Sequence, residues 1–136
     1  QDTLLKWLRR IKVSGGIAHA FNGSNQQAQE FLKLGFKLGF GGAATYSGSK
    51  RIRALAVSLP EEALVLETDS PDIPPQWLDD GQQQPGSRSR NTPDQLPKIA
   101  AHIALLRSVS LEVLAQQCTA NTCQALPALK RLLQLN

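Results

Sequence analysis

The stretch "LVLETDSP", Leu64–Pro71, decides the fold. Leu-Val-Leu is apolar without alternation, as in a parallel strand covered on both faces, and the pattern predicts a strand over Ala63–Glu67. Glu67 and Asp69 follow at once and Pro71 ends the run. A strand that stops in acids sets them at the mouth of a sheet, where α/β proteins place ligand sites. An unpaired carboxylate there is costly, so Asp69 calls for a cation or an arginine partner; its plainer role is to cap the loop that follows. Glu67, two residues earlier, faces the same side, as support for Asp69 or as one half of a buried ion pair.

Two further runs match it upstream. "GGIAHAF", Gly15–Phe21, predicts a short strand from Ile17 in which His19 shares a face with Ile17 and Phe21. "FKLGFGG", Phe36–Gly42, predicts another. Helices fill the intervals. Leu4, Leu5, Leu8 and Ile11 recur at helical spacing over residues 3–12, and Ser24 with Gln27 forms a capping box for a helix to about Leu34. Ser49–Ser58 is a second crossover helix, stopped by Pro60. Residues 70–92, rich in proline and glutamine, read as a long loop. Thr92-Pro93 opens a helix to about Arg107, Ser110 caps a short one, and a last segment over 119–135 is interrupted at Pro127. Helix, strand, helix, strand, helix, strand, loop, helix is an α/β order with a parallel sheet, and it brings His19, Gly41 and Asp69 to one edge.

Composition sets the bounds. The 136 residues, 41% hydrophobic, suffice for one domain. No apolar run reaches the ~20 residues of a membrane span, so a soluble, cytoplasmic protein without membrane contact is expected. Cys118 and Cys123 match neither a zinc knuckle nor a redox motif and read as buried free thiols. The net charge of +4 is compatible with a phosphate-bearing partner. The chain has no methionine and opens on Gln1-Asp2-Thr3, which predicts a piece of a longer protein.

The candidate chemistry follows from the edge. If the sheet closes into a barrel, His19 and Asp69 come from alternate strands and share a layer, so imidazole and carboxylate can converge on one divalent cation, zinc or manganese rather than calcium. His102, inside a helix, reads as structural. Lys50 and Arg51 open a helix where an anion would offset their unfavourable position, which makes them candidate phosphate or substrate contacts; a solvated basic turn is the alternative. Arg88, Arg90 and Trp77 suit a nucleic-acid strand less well than an exposed loop and its apolar anchor. The glycines of "GFGG" admit a ligand or relieve crowding at a strand end.

Together "HAFNGS" (His19–Ser24), "FLKLGFKLGFGGAATY" (Phe31–Tyr46), "ALVLETDSPDIP" (Ala63–Pro74), "NTPDQLP" (Asn91–Pro97) and "TANTCQAL" (Thr119–Leu126) resemble the TatD family of metal-dependent deoxyribonucleases. The resemblance implies a (β/α)8 barrel of the amidohydrolase type with two divalent ions, zinc, manganese or magnesium, at the carboxyl ends of its strands. It implies that His19 binds one ion, and that Asp69 binds the other and acts as the base that orients water. The family's histidine-x-histidine pair, a glutamate and a further histidine would then precede Gln1. Ala20, Asn22 and Thr92 depart mildly from the usual motifs. The expected chain is the carboxyl-terminal half, with three of eight strands, inactive alone and prone to self-associate through bare strand edges and an apolar inner face. For the whole protein the expected activity is phosphodiester hydrolysis of DNA. The alternatives are an amidohydrolase-type deacylase or esterase and a non-catalytic basic binding module.

Overall fold

The computed structural model describes residues 1–79 and 89–134, without the side chains of residues 130 and 134. Three parallel strands, β1 (Gly16–Ala18), β2 (Phe36–Phe40) and β3 (Leu64–Leu66), lie in the order β1-β2-β3. Ile17 pairs with Lys37, and Leu38 and Phe40 pair with Leu64 and Leu66. The expected α/β order is therefore present, with both outer strands free of a third neighbour among the described residues.

Local signals account for the helices. In α2 (Asn25–Lys33) Ser24 Oγ accepts from the Gln27 amide at 3.2 Å and Gln27 Oε1 accepts from the Ser24 amide at 2.9 Å, the capping box read from sequence. Gly35, at φ +80°, then turns the chain into β2. Helices α1 (Asp2–Arg10), α3 (Lys50–Ser58) and α4 (Leu96–Arg107) lie close to their predicted ranges. One expectation fails: α5 runs unbroken over Leu111–Ala125, through Thr119, and α6 (Pro127–Gln134) begins at the proline. The interruption expected at Pro127 is present, with the proline in the first turn of α6, where no amide hydrogen is needed.

Strand alternation assigns the two sheet faces. Phe36, Leu38, Phe40, Leu64 and Leu66 pack with the helices, around Phe31, Ile99, Ile103 and Leu114. Ile17, Lys37, Gly39 and Val65 alternate to the other face. The broad apolar inner face expected from sequence is thus reduced to two aliphatic side chains, of which Val65 is buried. Large exposed apolar residues sit on helices, among them Leu4 and Trp7 on α1 and Leu132 and Leu133 on α6, and in connections, at Ile11, Val13, Ile73 and Leu126.

Two buried asparagines tie the layers together. Asn121 on α5 donates to the Glu61 and Leu64 carbonyls at 2.7 and 2.8 Å, fixing the helix against the start of β3. Asn91 donates to the Asp72 and Ile73 carbonyls at 2.9 and 3.1 Å, and its own amide reaches the Pro71 carbonyl at 3.0 Å. It therefore clips the chain just beyond Asp69. Asn91 and Asn121 are 1% and 3% exposed, where each amide must find partners.

Cys118 and Cys123 are free, as expected, but only Cys118 is buried. Burial pushes the Cys118 thiol up to about 11. Since the thiolate is the nucleophile, iodoacetamide at pH 8 labels Cys118 far more slowly than Cys123, and raising the pH toward 10 narrows the gap. Peptide mass spectrometry of native, pulse-labelled protein reads this directly; equal rates would show that the α5 packing opens readily. Among the described residues, no single helix is long and apolar enough to cross a membrane.

Candidate metal centre

The strand order sets the chemistry of the sheet's carboxyl edge. His19 follows β1 and Glu67 follows β3, so β2 stands between them. They meet because β2 has no side chain at Gly39: a Cβ there would overlap the Glu67 carboxylate. Glu67 crosses that gap, its Oε2 accepting from His19 Nδ1 at 2.8 Å and its Oε1 from the Ala20 amide at 2.5 Å. Gly41 gives way likewise to the Glu67 carbonyl, 2.7 Å from where a Cβ would stand, and Gly42 to the backbone of Ile73–Pro75. The glycines of "GFGG" therefore relieve crowding from the third strand's end.

Asp69 completes the cluster. Its Oδ1 lies 2.5 Å from His19 Nε2, so both ring nitrogens face carboxylates. The His19 side chain is 58% exposed against 11% and 17% for the acids, so the imidazole is the cluster's open side. The Glu67 hydrogen bond raises His19 above the usual histidine value, helped by the charges of Glu67 and Asp69 and opposed by burial. Burial raises Glu67, with Asp69 adding repulsion, while the Ala20 amide and His19 pull it back. Two acids against one imidazole make a place suited to an added positive charge.

The donor set fits a divalent cation. One ligand atom from each of His19, Glu67 and Asp69 falls within 4.8 Å of the others, the one such group among the described residues. Both Glu67 oxygens are taken up by His19 Nδ1 and the Ala20 amide, which fixes the ring and its tautomer; Nε2 and the Asp69 carboxylate then remain for an ion. A mixture of imidazole nitrogen and carboxylate oxygen suits zinc or manganese.

One expectation about this edge needs correction. Ala20 adopts φ +47°, which ends the alternation just past His19. Phe21 therefore turns into the helix-side core against Phe31, ring centroids 5.8 Å apart, and does not share a face with Ile17. Alanine carries no sequence signal for that conformation.

The remaining candidates sit elsewhere. Arg51 Nη2 donates to both the carbonyl and the side-chain Oδ1 of Asn22, at 3.2 and 2.7 Å, so it meets the rim of the site only through Asn22. Lys50 is exposed and outside the cluster. Trp77 is the expected anchor: its indole donates to Gln95 Oε1 at 2.9 Å and Lys98 Nζ lies 4.5 Å from the ring centre. His102, beside the Trp77 ring, has its pKa lowered by burial and by Arg53, consistent with the structural role read from sequence. Arg90 is exposed, and Arg88 lies outside the described residues.

Comparison with known proteins accords with this geometry. Residues 1–127 match the family described as TatD related DNase. The chain belongs to the TatD family. It is 37% identical over 124 residues to a Haemophilus influenzae protein named as an uncharacterized metal-dependent hydrolase, covering 90% of this chain and 44% of that one. It is 38% identical over 120 residues to a Klebsiella pneumoniae protein named 3'-5' ssDNA/RNA exonuclease TatD, covering 87% and 43%. Among solved structures it superposes on the TatD homolog YjjV of Escherichia coli K12 with a TM-score of 0.78 and 34% identity, over 91% of this chain and 45% of that one. The TatD chain described here spans less than half the length of each of these relatives, and its three parallel strands with their helices are part of a TIM-type barrel.

Proposed function

We propose that the whole TatD protein to which this chain belongs hydrolyses phosphodiester bonds in DNA, using two divalent ions held partly by His19 and Asp69. The observation that carries the reading is the His19–Glu67–Asp69 cluster at the carboxyl edge of the sheet. The nuclease name of a relative 38% identical to it supports the choice of substrate.

Bound ions would polarise the phosphoryl group and lower the pKa of water toward ~7. The chain's own residues do the rest. Glu67 Oε2 holds Nδ1, so a cation that replaced the proton between Nε2 and Asp69 would find that nitrogen and the carboxylate already side by side. Asp69, held 2.5 Å from that nitrogen, is placed both to bind and to accept a proton from an attacking water. Asn91 secures the backbone immediately after it. Lys50 and Arg51 supply positive charge beyond the rim, where a polyanion would pass.

The test uses the whole protein with defined single-stranded oligonucleotides and with acyl ester and amide substrates. Hydrolysis of the oligonucleotides is expected with added Zn, Mn or Mg. Chelation should lower it at least a hundredfold, and restoring metal should recover it. Turnover of acyl substrates with DNA left intact would overturn the reading in favour of a deacylase or esterase. Salt-sensitive DNA binding without turnover would overturn it in favour of a binding module.

A further inference from the structure

A cavity opens beside Asp69 at the same edge. Apolar side chains, among them Phe21, Phe40, Ile52 and Ile73, dominate its wall, and Gly39 and Gly41 complete it. Its only polar side chains are Asn22, Glu67 and Asp69. Glu67 is spent on His19 and the Ala20 amide, and Asp69 is assigned above to an ion. Asn22 is therefore the one polar side chain at this cavity free to distinguish ligands.

Asn22, though exposed, is held at its side-chain oxygen. Arg51, at the start of α3, spends one guanidinium nitrogen on both its carbonyl and its Oδ1. With Oδ1 engaged, the two Nδ2 hydrogens have no acceptor among the described residues. A planar amide fixed by its oxygen presents its donors on the opposite side in one orientation. This is how a mostly apolar pocket obtains specificity: a few polar groups, rigidly placed.

We infer that this cavity seats the nucleobase attached to the phosphate being cleaved, with the Asn22 amide donating to a ring carbonyl or ring nitrogen and Arg51 acting as the positioning residue that holds it. The inference rests on the nuclease reading above and deepens it. A flat ring bearing hydrogen-bond acceptors matches both the apolar wall and the unspent donors. It also gives Arg51 a role other than the direct phosphate contact expected from sequence, since its observed partner is neutral.

The experiment measures binding, so it does not depend on turnover. The whole metal-loaded protein is titrated calorimetrically with deoxynucleoside 5'-monophosphates and with base-free deoxyribose 5-phosphate. The nucleotides should bind about tenfold or more tightly than the sugar phosphate. Asn22→Ala should abolish that preference and Arg51→Ala should weaken it, while the double variant should be no worse than Asn22→Ala alone, because the residues act as one unit. Asn22→Gln, which keeps the donor on a longer arm, should recover part of the preference. Equal affinities in the parent protein would overturn the inference, as would a preference that survives Asn22→Ala. A loss of affinity for both ligands in Arg51→Ala, with Asn22→Ala unchanged, would also overturn it and would assign Arg51 to the phosphate. Failure of oligonucleotide hydrolysis would sink the nuclease reading and leave this binding ratio as measured.

Discussion

Asp69→Asn in the whole protein is expected to lower oligonucleotide hydrolysis about a thousandfold, roughly 4 kcal/mol of barrier at about 1.36 kcal/mol per tenfold. Asparagine keeps the shape and loses the charge. It cannot take a proton from water, and it offers a cation a neutral carbonyl oxygen in place of a carboxylate. It also faces His19 Nε2, 2.5 Å away in the parent, with no charge to balance. Steady-state kinetics at saturating metal check this, and the loss should fall on kcat more than on KM. If kcat stayed within threefold of the parent, Asp69 would be neither base nor essential ligand.

Gly39→Ala is expected to act nearly as strongly, although Gly39 lies on the middle strand and has no side chain with which to bind anything. An added methyl would occupy the space of the Glu67 carboxylate, and that acid must move because the strand backbone cannot. His19 then loses the partner of Nδ1. Losing the group that orients a ligating histidine costs about 10- to 100-fold in metal affinity, and overpacking the strand costs about 1–3 kcal/mol of stability. Calorimetric metal titration reads the first and thermal unfolding the second. If Gly39 acts through Glu67, Gly39→Ala combined with Glu67→Ala should bind metal no more weakly than Glu67→Ala alone. Additive losses would place the effect of Gly39 elsewhere.

Much of the architecture was legible because its signals are local. The unalternated "LVL" run, the capping box at Ser24 and Gln27 and the glycine at position 35 each act within a few residues, and each element formed where they indicate. The pairing of His19 with Asp69 was legible as well, since a parallel order sends both strand ends to one edge. What escaped was long-range or conformationally silent. Gly39 reads simply as a weak strand residue until Glu67 arrives beside it from another strand. Asn91 and Asn121 sit in segments whose periodicity says nothing about an amide reaching carbonyls on a different element. The continuity of α5 through Thr119 was hidden because its polar stretch, Gln116 to Gln124, carries little apolar periodicity. Arg51 showed its charge in the sequence but not its partner, Asn22.

The left-handed backbone at Ala20 has a consequence for how the edge takes shape during folding. A non-glycine residue there costs on the order of 1 kcal/mol and persists only where its surroundings compensate. The compensating group is an acid that arrives from the third strand and grips the Ala20 amide. The turn that carries the imidazole is therefore shaped by a contact from a distant strand rather than dictated by its own residues, so ligand geometry depends on β3 being in place.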